Sequence, residues 1–242
     1  MRKLNEIAWQ IDEPGYRSDL ALSYSTISRF KREGFKGLKN LFDKIESPSL
    51  LFGSLVDTMV TDKENLDKLF MVADIPDISD NLESIARHLA KNYSDYESLH
   101  LIDFNTIAKV GEDFGYFKGK SYENTRVKRI LENCDTLFKI LRSAGDRTVV
   151  SQKLYSEALA CYNALLECPD TSKYFAPKNP FDDSFEVFYQ LKFKSEFEGI
   201  PVRCMFDGLY VNHRDKSITP IDLKTSSKHE TEFFKSWIEW GY

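Results

Sequence analysis

Apolar residues in the first part of the chain recur at helical spacing. In LFGSLVDTMV they fall three and four positions apart, which predicts a helix with one buried face and places Asp57 at the edge of that face. Before it, SYSTISRFKREG offers Ser23 or Ser25 as an N-cap and a glycine as the helix stop. We therefore predict an N-terminal helical core segment over residues 21–61 and, from further apolar stripes, a large helical insertion over residues 62–175.

After the turn-rich APKNPFDDS the pattern becomes strand-like. FEVFYQLKFKSEF, GIPVRCMFDGLYVN and KSITPIDLKTS are rich in β-branched and aromatic residues and predict a three-stranded antiparallel meander. A helix beginning in HETEFFKSWIEWGY would pack through Phe233, Phe234 and Trp237. The predicted fold class is α/β, with a mixed central β-sheet flanked by helices. It forms one domain over residues 1–242, in which residues 184–242 hold the meander and the start of the last helix.

Composition predicts a soluble, globular, cytoplasmic protein without a membrane partner. The formal charge is −5 and 42% of residues are hydrophobic, but no apolar run reaches the roughly 18 residues of a membrane span. The first residues also lack the apolar region of a signal peptide. The cysteines are scattered and form no CxxC pair, so we expect buried free thiols at Cys134, Cys161, Cys168 and Cys204.

Each strand of the predicted meander carries one acid: Glu186, Asp207 and Asp222 in turn. Because side chains alternate along a strand, Asp222 and Lys224 would share one face while Leu223 points the other way. If the last two strands pair through VNHRDKSIT, Asp207 and Asp222 lie opposite each other. Any one of these acids alone is more often a turn or solvent-facing residue. Two facing carboxylates, however, repel unless a hard cation such as Mg²⁺ lies between them.

These motifs resemble those of a nuclease superfamily. CMFDGLY followed by PIDLKTS, with FEVFY ahead of both, is similar to the PD-(D/E)xK superfamily, and more closely to its RecB-like branch that includes RecE and the lambda exonuclease. LSYSTISRF resembles the S-x-S-x-x-x-x-F segment that opens RecB-type nuclease domains, and LFGSLVDTMV has Asp57 where relatives often carry histidine. The resemblance covers residues 21–61 and 184–242 and implies a restriction-endonuclease-like core. Relatives continue into a helix with a Q-x-x-x-Y element, whereas this sequence stops at EWGY, so we expect either a C-terminal truncation or a helix of which only residues 240–242 remain.

The resemblance implies a metal-dependent DNA exonuclease that hydrolyses phosphodiester bonds of linear duplex DNA in phage-type recombination. Glu186, Asp207, Asp222 and the carbonyl of Leu223 would hold Mg²⁺ or Mn²⁺. Lys224 would orient or help to deprotonate the attacking water and offset charge on the phosphate. The implied partners are duplex DNA with a free end, a single-strand annealing protein and further copies of the chain in a homo-oligomeric ring.

Two features of the sequence each allow two interpretations. Asp57 would bind a second metal ion or would be an exposed helix residue; the pattern supports both equally. Two basic segments would contact DNA phosphates without reading sequence, or would be solvated helix faces. Their cations are Arg29, Lys31, Arg32, Lys36 and Lys39 in the first segment, and Lys118, Lys120, Arg126, Lys128 and Arg129 in the second.

Other functions are compatible with parts of this pattern. An endonuclease on the same core would share the acids and the lysine but would cut closed circles. A truncated, non-catalytic DNA-binding fragment is favoured by the missing C-terminal helix and opposed by the complete set of acids and lysine. The iron–sulfur subgroup of RecB-like nucleases needs closely spaced cysteines after the motif, and none follows Cys204. A glycosidase would use paired carboxylates but would not explain Lys224 beside Asp222.

Overall fold

The computed structural model describes residues 4–43, 48–175, 184–226, 228 and 230–239. Its α-helices are α1 (Leu4–Ile7), α2 (Glu13–Ser18), α3 (Tyr24–Glu33), α4 (Pro48–Thr61), α5 (Leu66–Leu69), α6 (Asp80–Asn92), α7 (Phe104–Asp113), α8 (Glu123–Ala144), α9 (Gln152–Glu167), α10 (Ser172–Phe175) and α11 (Glu230–Glu239). The strands are β1 (Phe70–Ala73), β2 (Thr148–Ser151), β3 (Phe185–Phe197), β4 (Ile200–Asn212) and β5 (Ser217–Ile221). Short 3₁₀ helices cover Gly34–Asn40, Lys63–Asn65, Leu99–Leu101 and Lys120–Tyr122.

The mixed α/β chain divides into two compact units. The first comprises Met1–Lys63 and Ala158–Tyr242, and the second comprises Glu64–Glu157. The strands that the structure describes form two separate sheets, one in each unit, rather than the single mixed sheet that the sequence predicted. The sequence pattern did not reveal the second sheet, because its two strands have only four residues each. Runs this short inside a helical stretch cannot be distinguished from the flanking helices by periodicity.

The first unit contains the predicted antiparallel meander, in the order β3, β4, β5. Glu198 and Gly199 form a two-residue hairpin turn between β3 and β4, with φ of 50° and 80° respectively. Positive φ at both central residues is the turn geometry that matches the twist of paired strands. The β4–β5 ladder runs from Asn212↔Ser217 to Gly208↔Ile221. Strand β5 therefore ends before the Asp222 that the sequence placed inside it.

The N-terminal residues complete the edge of β4 beyond the reach of β5. Leu22 forms a parallel bridge with Val202, and its N–H donates to the carbonyl of Pro201 at 2.9 Å. Helix α2 lies beside this edge, with the ring of buried Tyr16 4.6 Å from the guanidinium carbon of Arg203. The short helix α2 is thereby held close to the meander.

Helix α3 begins and ends where the sequence indicates. The side chain of Ser23 is the N-cap and accepts from the N–H of Thr26 at 3.3 Å, while Gly34 ends the helix with φ of 63°. Its apolar face is partly exposed, since Ile27 is 51% exposed. The apolar spacing of Leu38, Leu41, Phe42 and Ile45 in the sequence indicates a second short helix; the structure has a 3₁₀ helix over Gly34–Asn40, and Ile45 lies outside the described residues.

Helix α4 buries the stripe predicted for it. Leu55, Val56 and Met59 are all buried, and Asp57 is half-buried at the edge of the stripe, as the sequence indicated. One turn before Asp57, Gly53 lies so close to the segment after β5 that a Cβ there would be 3.1 Å from Oγ1 of Thr225. Because Gly53 has no side chain, α4 can approach the D-x-K segment closely.

The second unit has a helical core built by α6, α7 and α8. Leu89, Ile107, Ile130 and Phe138 are among its fully buried side chains. Strands β1 and β2, which the sequence did not predict, form a parallel pair from Phe70↔Thr148 to Ala73↔Ser151. Most of this stretch is helical, as predicted.

Several side chains differ in burial from their prediction. Phe234 on α11 is 72% exposed instead of packed, and the side chain of Trp237 lies outside the described part. All four cysteines have free thiols, but Cys161 and Cys204 are exposed rather than buried. Among the helices that the structure describes, none combines the length and the apolar character needed to cross a membrane.

Candidate active site

The β4–β5 register brings Asp207 and Asp222 together. Gly208↔Ile221 is the final pair of the ladder, so the next positions outward, Asp207 and Asp222, lie across from each other. The backbone N–H of Leu223 then donates to Oδ2 of Asp207 at 2.7 Å, beyond the last ladder pair. The predicted opposition of the two acids is confirmed.

Lys224 lies beside Asp222, although the strand has already ended. Its Nζ is 2.6 Å from Oδ1 of Asp222, and the two side chains are 34% and 55% exposed respectively. Asp222 and Lys224 are therefore adjacent as predicted, although they lie in the irregular segment after β5. The pair is accessible to solvent and to any molecule that approaches the end of the β4–β5 ladder.

Asp57 joins this group from helix α4. Nε2 of Gln190 donates to Oδ1 and Oδ2 of its carboxylate at 3.1 and 3.0 Å. The pKa of Asp57 is raised to about 6, mainly by burial and in addition by the nearby charge of Asp207. Lys224 acts in the opposite sense on the same carboxyl. Asp57, Asp207 and Lys224 thus share one electrostatic environment.

The ionised form of Asp207 is also disfavoured by its surroundings. Burial is the largest cause of the raised pKa of this carboxyl, and the proximity of Asp222 adds to it. The N–H of Leu223 and the charge of Lys224 oppose the increase. Carboxylates held this close favour protonation or a neighbouring cation. The electrostatics of the group therefore suit binding of a positively charged species.

Gln190 is a member of the group that the sequence did not suggest. The β3–β4 register passes from Tyr189↔Gly208 to Leu191↔Phe206, so Gln190 lies between these pairs, across from Asp207. Its φ of 55° is in the left-handed region. An amide on a strand carries no signal of its own, but counting outward from the hairpin at EFEG would have placed it opposite the central acid.

Glu186 lies elsewhere on the same strand. It pairs with Val211, four residues from Gln190, which corresponds to about 13 Å along a strand. Its Oε2 is 2.9 Å from Nε2 of His213, next to the turn between β4 and β5. The structure brings Asp57, Asp207, Asp222 and Lys224 to one place but does not bring Glu186 to them.

The donors available at this group are of the kind that Mg²⁺ and Mn²⁺ prefer. Asp57, Asp207 and Asp222 offer carboxylate oxygens, and the carbonyl of Leu223 is the backbone oxygen between the last acid and Lys224. Within the described ranges, no three histidine, cysteine, aspartate or glutamate side chains are close enough to hold a metal ion as they stand. The set therefore fits a hard cation by donor type, and the ammonium of Lys224 occupies one oxygen of Asp222.

The basic segments are less available than their sequences indicate. In the first unit, Arg29 pairs with Glu33 at 3.3 Å and donates to the carbonyl of Asp43 at 3.0 Å. In the second unit, Arg126 is only 1% exposed and its Nη1 donates to the carbonyl of Phe117 at 2.6 Å. The interpretation of Arg126 as a phosphate contact is therefore wrong, because the side chain belongs to the interior of its unit.

Comparison with models of known protein families, with curated proteins and with solved structures finds no match for this chain. Any functional conclusion therefore rests on the residues themselves and on the contacts among them. The shortest contacts in the group are those of Leu223 with Asp207 at 2.7 Å and of Lys224 with Asp222 at 2.6 Å.

Proposed function

We propose that this chain is a metal-dependent nuclease of the PD-(D/E)xK type, with a restriction-endonuclease-like core, that hydrolyses phosphodiester bonds of DNA. One observation carries the proposal. Asp207 and Asp222 face each other across the end of the β4–β5 ladder, and Nζ of Lys224 lies 2.6 Å from Asp222. Two converging acids with an adjacent ammonium provide the residue types that phosphoryl transfer requires.

In this proposal Asp207, Asp222 and the carbonyl of Leu223 hold Mg²⁺ or Mn²⁺, and Asp57 contributes from α4. A bound divalent ion supplies a water that is nucleophilic near neutral pH and neutralises charge on the phosphate. The raised pKa values of Asp57 and Asp207 support this assignment, since both carboxylates are held where a cation would offset their charge. Glu186 has no part in the proposed site, because it lies beside His213.

The chain's own residues would orient the reacting groups. The N–H of Leu223 holds one oxygen of Asp207 at 2.7 Å and so fixes the direction of its carboxylate. Lys224 is partly exposed and carries donors that can reach a water or a phosphate oxygen. Its ammonium would orient the attacking water and offset the negative charge that develops in the transition state.

The choice between exonuclease and endonuclease activity rests on the motif resemblance alone. We propose an exonuclease that acts on linear duplex DNA with a free end, in phage-type recombination. Assembly as a homo-oligomeric ring and cooperation with a single-strand annealing protein belong to the same proposal. An endonuclease of the same superfamily uses the same residues, so the two are separated by substrate.

The test is degradation of end-labelled linear duplex and of closed circular DNA with Mg²⁺ or Mn²⁺. The chain would be compared with Lys224→Ala and Asp222→Ala, and with Lys228→Ala as the control, since Lys228 is an exposed lysine outside the group. We expect loss of linear DNA only, abolished by the first two substitutions and unchanged in the control. Cleavage of circles would support an endonuclease, and no cleavage by folded protein that also fails to bind Mn²⁺ would leave a non-catalytic DNA-binding role.

A further inference from the structure

Gln190 combines an uncommon backbone conformation with a long-range side-chain contact. Its φ of 55° lies in the left-handed region, where residues other than glycine, asparagine and aspartate are uncommon. The residues on either side remain in regular register with β4. The unusual conformation is therefore confined to the position that lies across from Asp207.

The side chain of Gln190 connects the sheet to helix α4. Nε2 lies 3.1 and 3.0 Å from the two carboxylate oxygens of Asp57, a residue 133 positions away in the chain. An ionised carboxylate only accepts hydrogen bonds, which identifies the NH₂ group as the end of the amide that faces it. Both partners are partly buried, so the contact limits the directions that the Asp57 side chain can take.

We propose that Gln190 is a positioning residue that holds the Asp57 carboxylate toward Asp207 and thereby sets the divalent-cation affinity of the site. The inference rests on the proposed function. Groups that hydrogen-bond to metal ligands orient them, and their loss commonly lowers metal affinity or activity by about 10-fold to 100-fold. One oxygen of Asp57 can remain bonded to Gln190 while the other faces the cation.

The backbone of Gln190 provides a way to separate positioning from structural support. Glycine adopts positive φ without the steric cost that glutamine carries. Gln190→Gly removes the amide and relieves the backbone at the same time, whereas Gln190→Leu removes only the amide. If the side chain serves the site, both variants weaken cation binding, and the glycine variant keeps or raises the melting temperature.

The experiment is titration of the full chain with Mn²⁺, in which free Mn²⁺ is measured by electron paramagnetic resonance, together with thermal unfolding of each variant. We expect Gln190→Leu and Gln190→Gly to weaken Mn²⁺ binding about 10-fold to 100-fold. Gln152→Leu, which changes an exposed glutamine at the start of α9, is the matched control and should bind as the unaltered chain does. Because Gln190 acts through Asp57, Gln190→Leu should have no further effect when combined with Asp57→Ala.

The outcomes distinguish this inference from the proposed function. If the unaltered chain binds Mn²⁺ and both Gln190 variants bind it equally well, the positioning role is wrong while the metal site stands. An effect of Gln190→Leu that persists in the Asp57→Ala background would also overturn it. If the unaltered, folded chain binds no Mn²⁺, the proposed metal site fails and the positioning role fails with it. Should Gln190→Leu unfold, the glycine variant decides the result.

Discussion

The backbone N–H of Leu223 donates to Oδ2 of Asp207 at 2.7 Å. The bond extends the contact between the last two strands beyond the final ladder pair, Gly208↔Ile221. Leu223 stands between Asp222 and Lys224 in the sequence, so one hydrogen bond fixes the position of the whole D-x-K segment relative to the central strand. This arrangement places two acids and a lysine where the β4–β5 ladder ends, beside the middle of β4.

The contrast between Asp207 and Glu186 yields the first prediction. Asp207→Asn keeps an oxygen that can accept from Leu223 but removes the charge, so we expect nuclease activity to fall by at least about 100-fold. Glu186→Gln should keep activity within about 3-fold, because its contact is with His213 rather than with the acids. Nuclease assays of both folded variants check this. If both variants lose nuclease activity equally, Glu186 belongs to the active site and this prediction is wrong.

Asp57 links the site to the pH dependence of stability. Its pKa is raised from the ordinary 3.8 to about 6, so the folded state binds a proton more tightly than the unfolded state does. The free energy of unfolding should therefore fall as pH rises from about 4 to about 6 and then level off. Asp57→Asn removes this penalty and should stabilise the protein by about 1 to 2 kcal/mol at pH 7.5, after allowance for solvent screening, with the gain vanishing near pH 4.

Urea unfolding of the two proteins at pH 4 and pH 7.5 measures this effect. Asp95→Asn changes an exposed aspartate in the other unit and should alter stability by less than about 0.5 kcal/mol at either pH. A gain from Asp57→Asn that is equal at both pH values would contradict the assignment of the effect to ionisation of this carboxyl.

The close approach of α4 to the D-x-K segment can be tested through Gly53 and Thr225. An alanine Cβ at residue 53 would lie 3.1 Å from Oγ1 of Thr225, which opposes the gain of about 1 kcal/mol that alanine brings to a helix interior. In the Thr225→Ala background that obstacle is gone, so Gly53→Ala should be stabilising. A double-mutant cycle by urea unfolding should give a coupling of about 0.5 to 3 kcal/mol. Additive effects would show that the helix and the segment do not constrain each other.

Arg126 should act on stability in the second unit. It is buried, donates to the carbonyl of Phe117, and packs so closely that a Cβ on Gly111 would lie 2.7 Å from its Cδ. Arg126→Ala should cost about 2 to 4 kcal/mol through the cavity that it leaves. Arg126→Met fills much of the same volume without a buried charge and should cost less than about 1.5 kcal/mol.

Arg129 is the control for Arg126. It is exposed, with its guanidinium carbon 4.9 Å from the centre of the Phe117 ring, so Arg129→Ala should cost no more than about 1 kcal/mol. Chemical denaturation of all variants measures the differences. If Arg126→Ala costs no more than Arg129→Ala, the buried guanidinium does not support the core of its unit.

The local pattern of the sequence determined much of the first unit. Periodicity and end signals predicted α3 from Ser23 or Ser25 to Gly34 and the stripe of α4, because helix caps and the burial of one face are local properties. Alternation and turn residues predicted the meander, and the turn between β4 and β5 placed Asp207 opposite Asp222. The D-x-K spacing placed Lys224 next to Asp222.

Contacts between residues distant in the chain were decided only by the tertiary structure. The sequence favoured Glu186 because it is an acid on the right strand, but the β3–β4 register places Gln190 across from Asp207 instead. Arg126 and Lys128 look alike in a basic segment, yet helix packing buries the first and exposes the second. Which residues contact each other depends on strand register and on the orientation of helices and strands. Both are set by the packing of the whole unit rather than by neighbouring residues in the sequence.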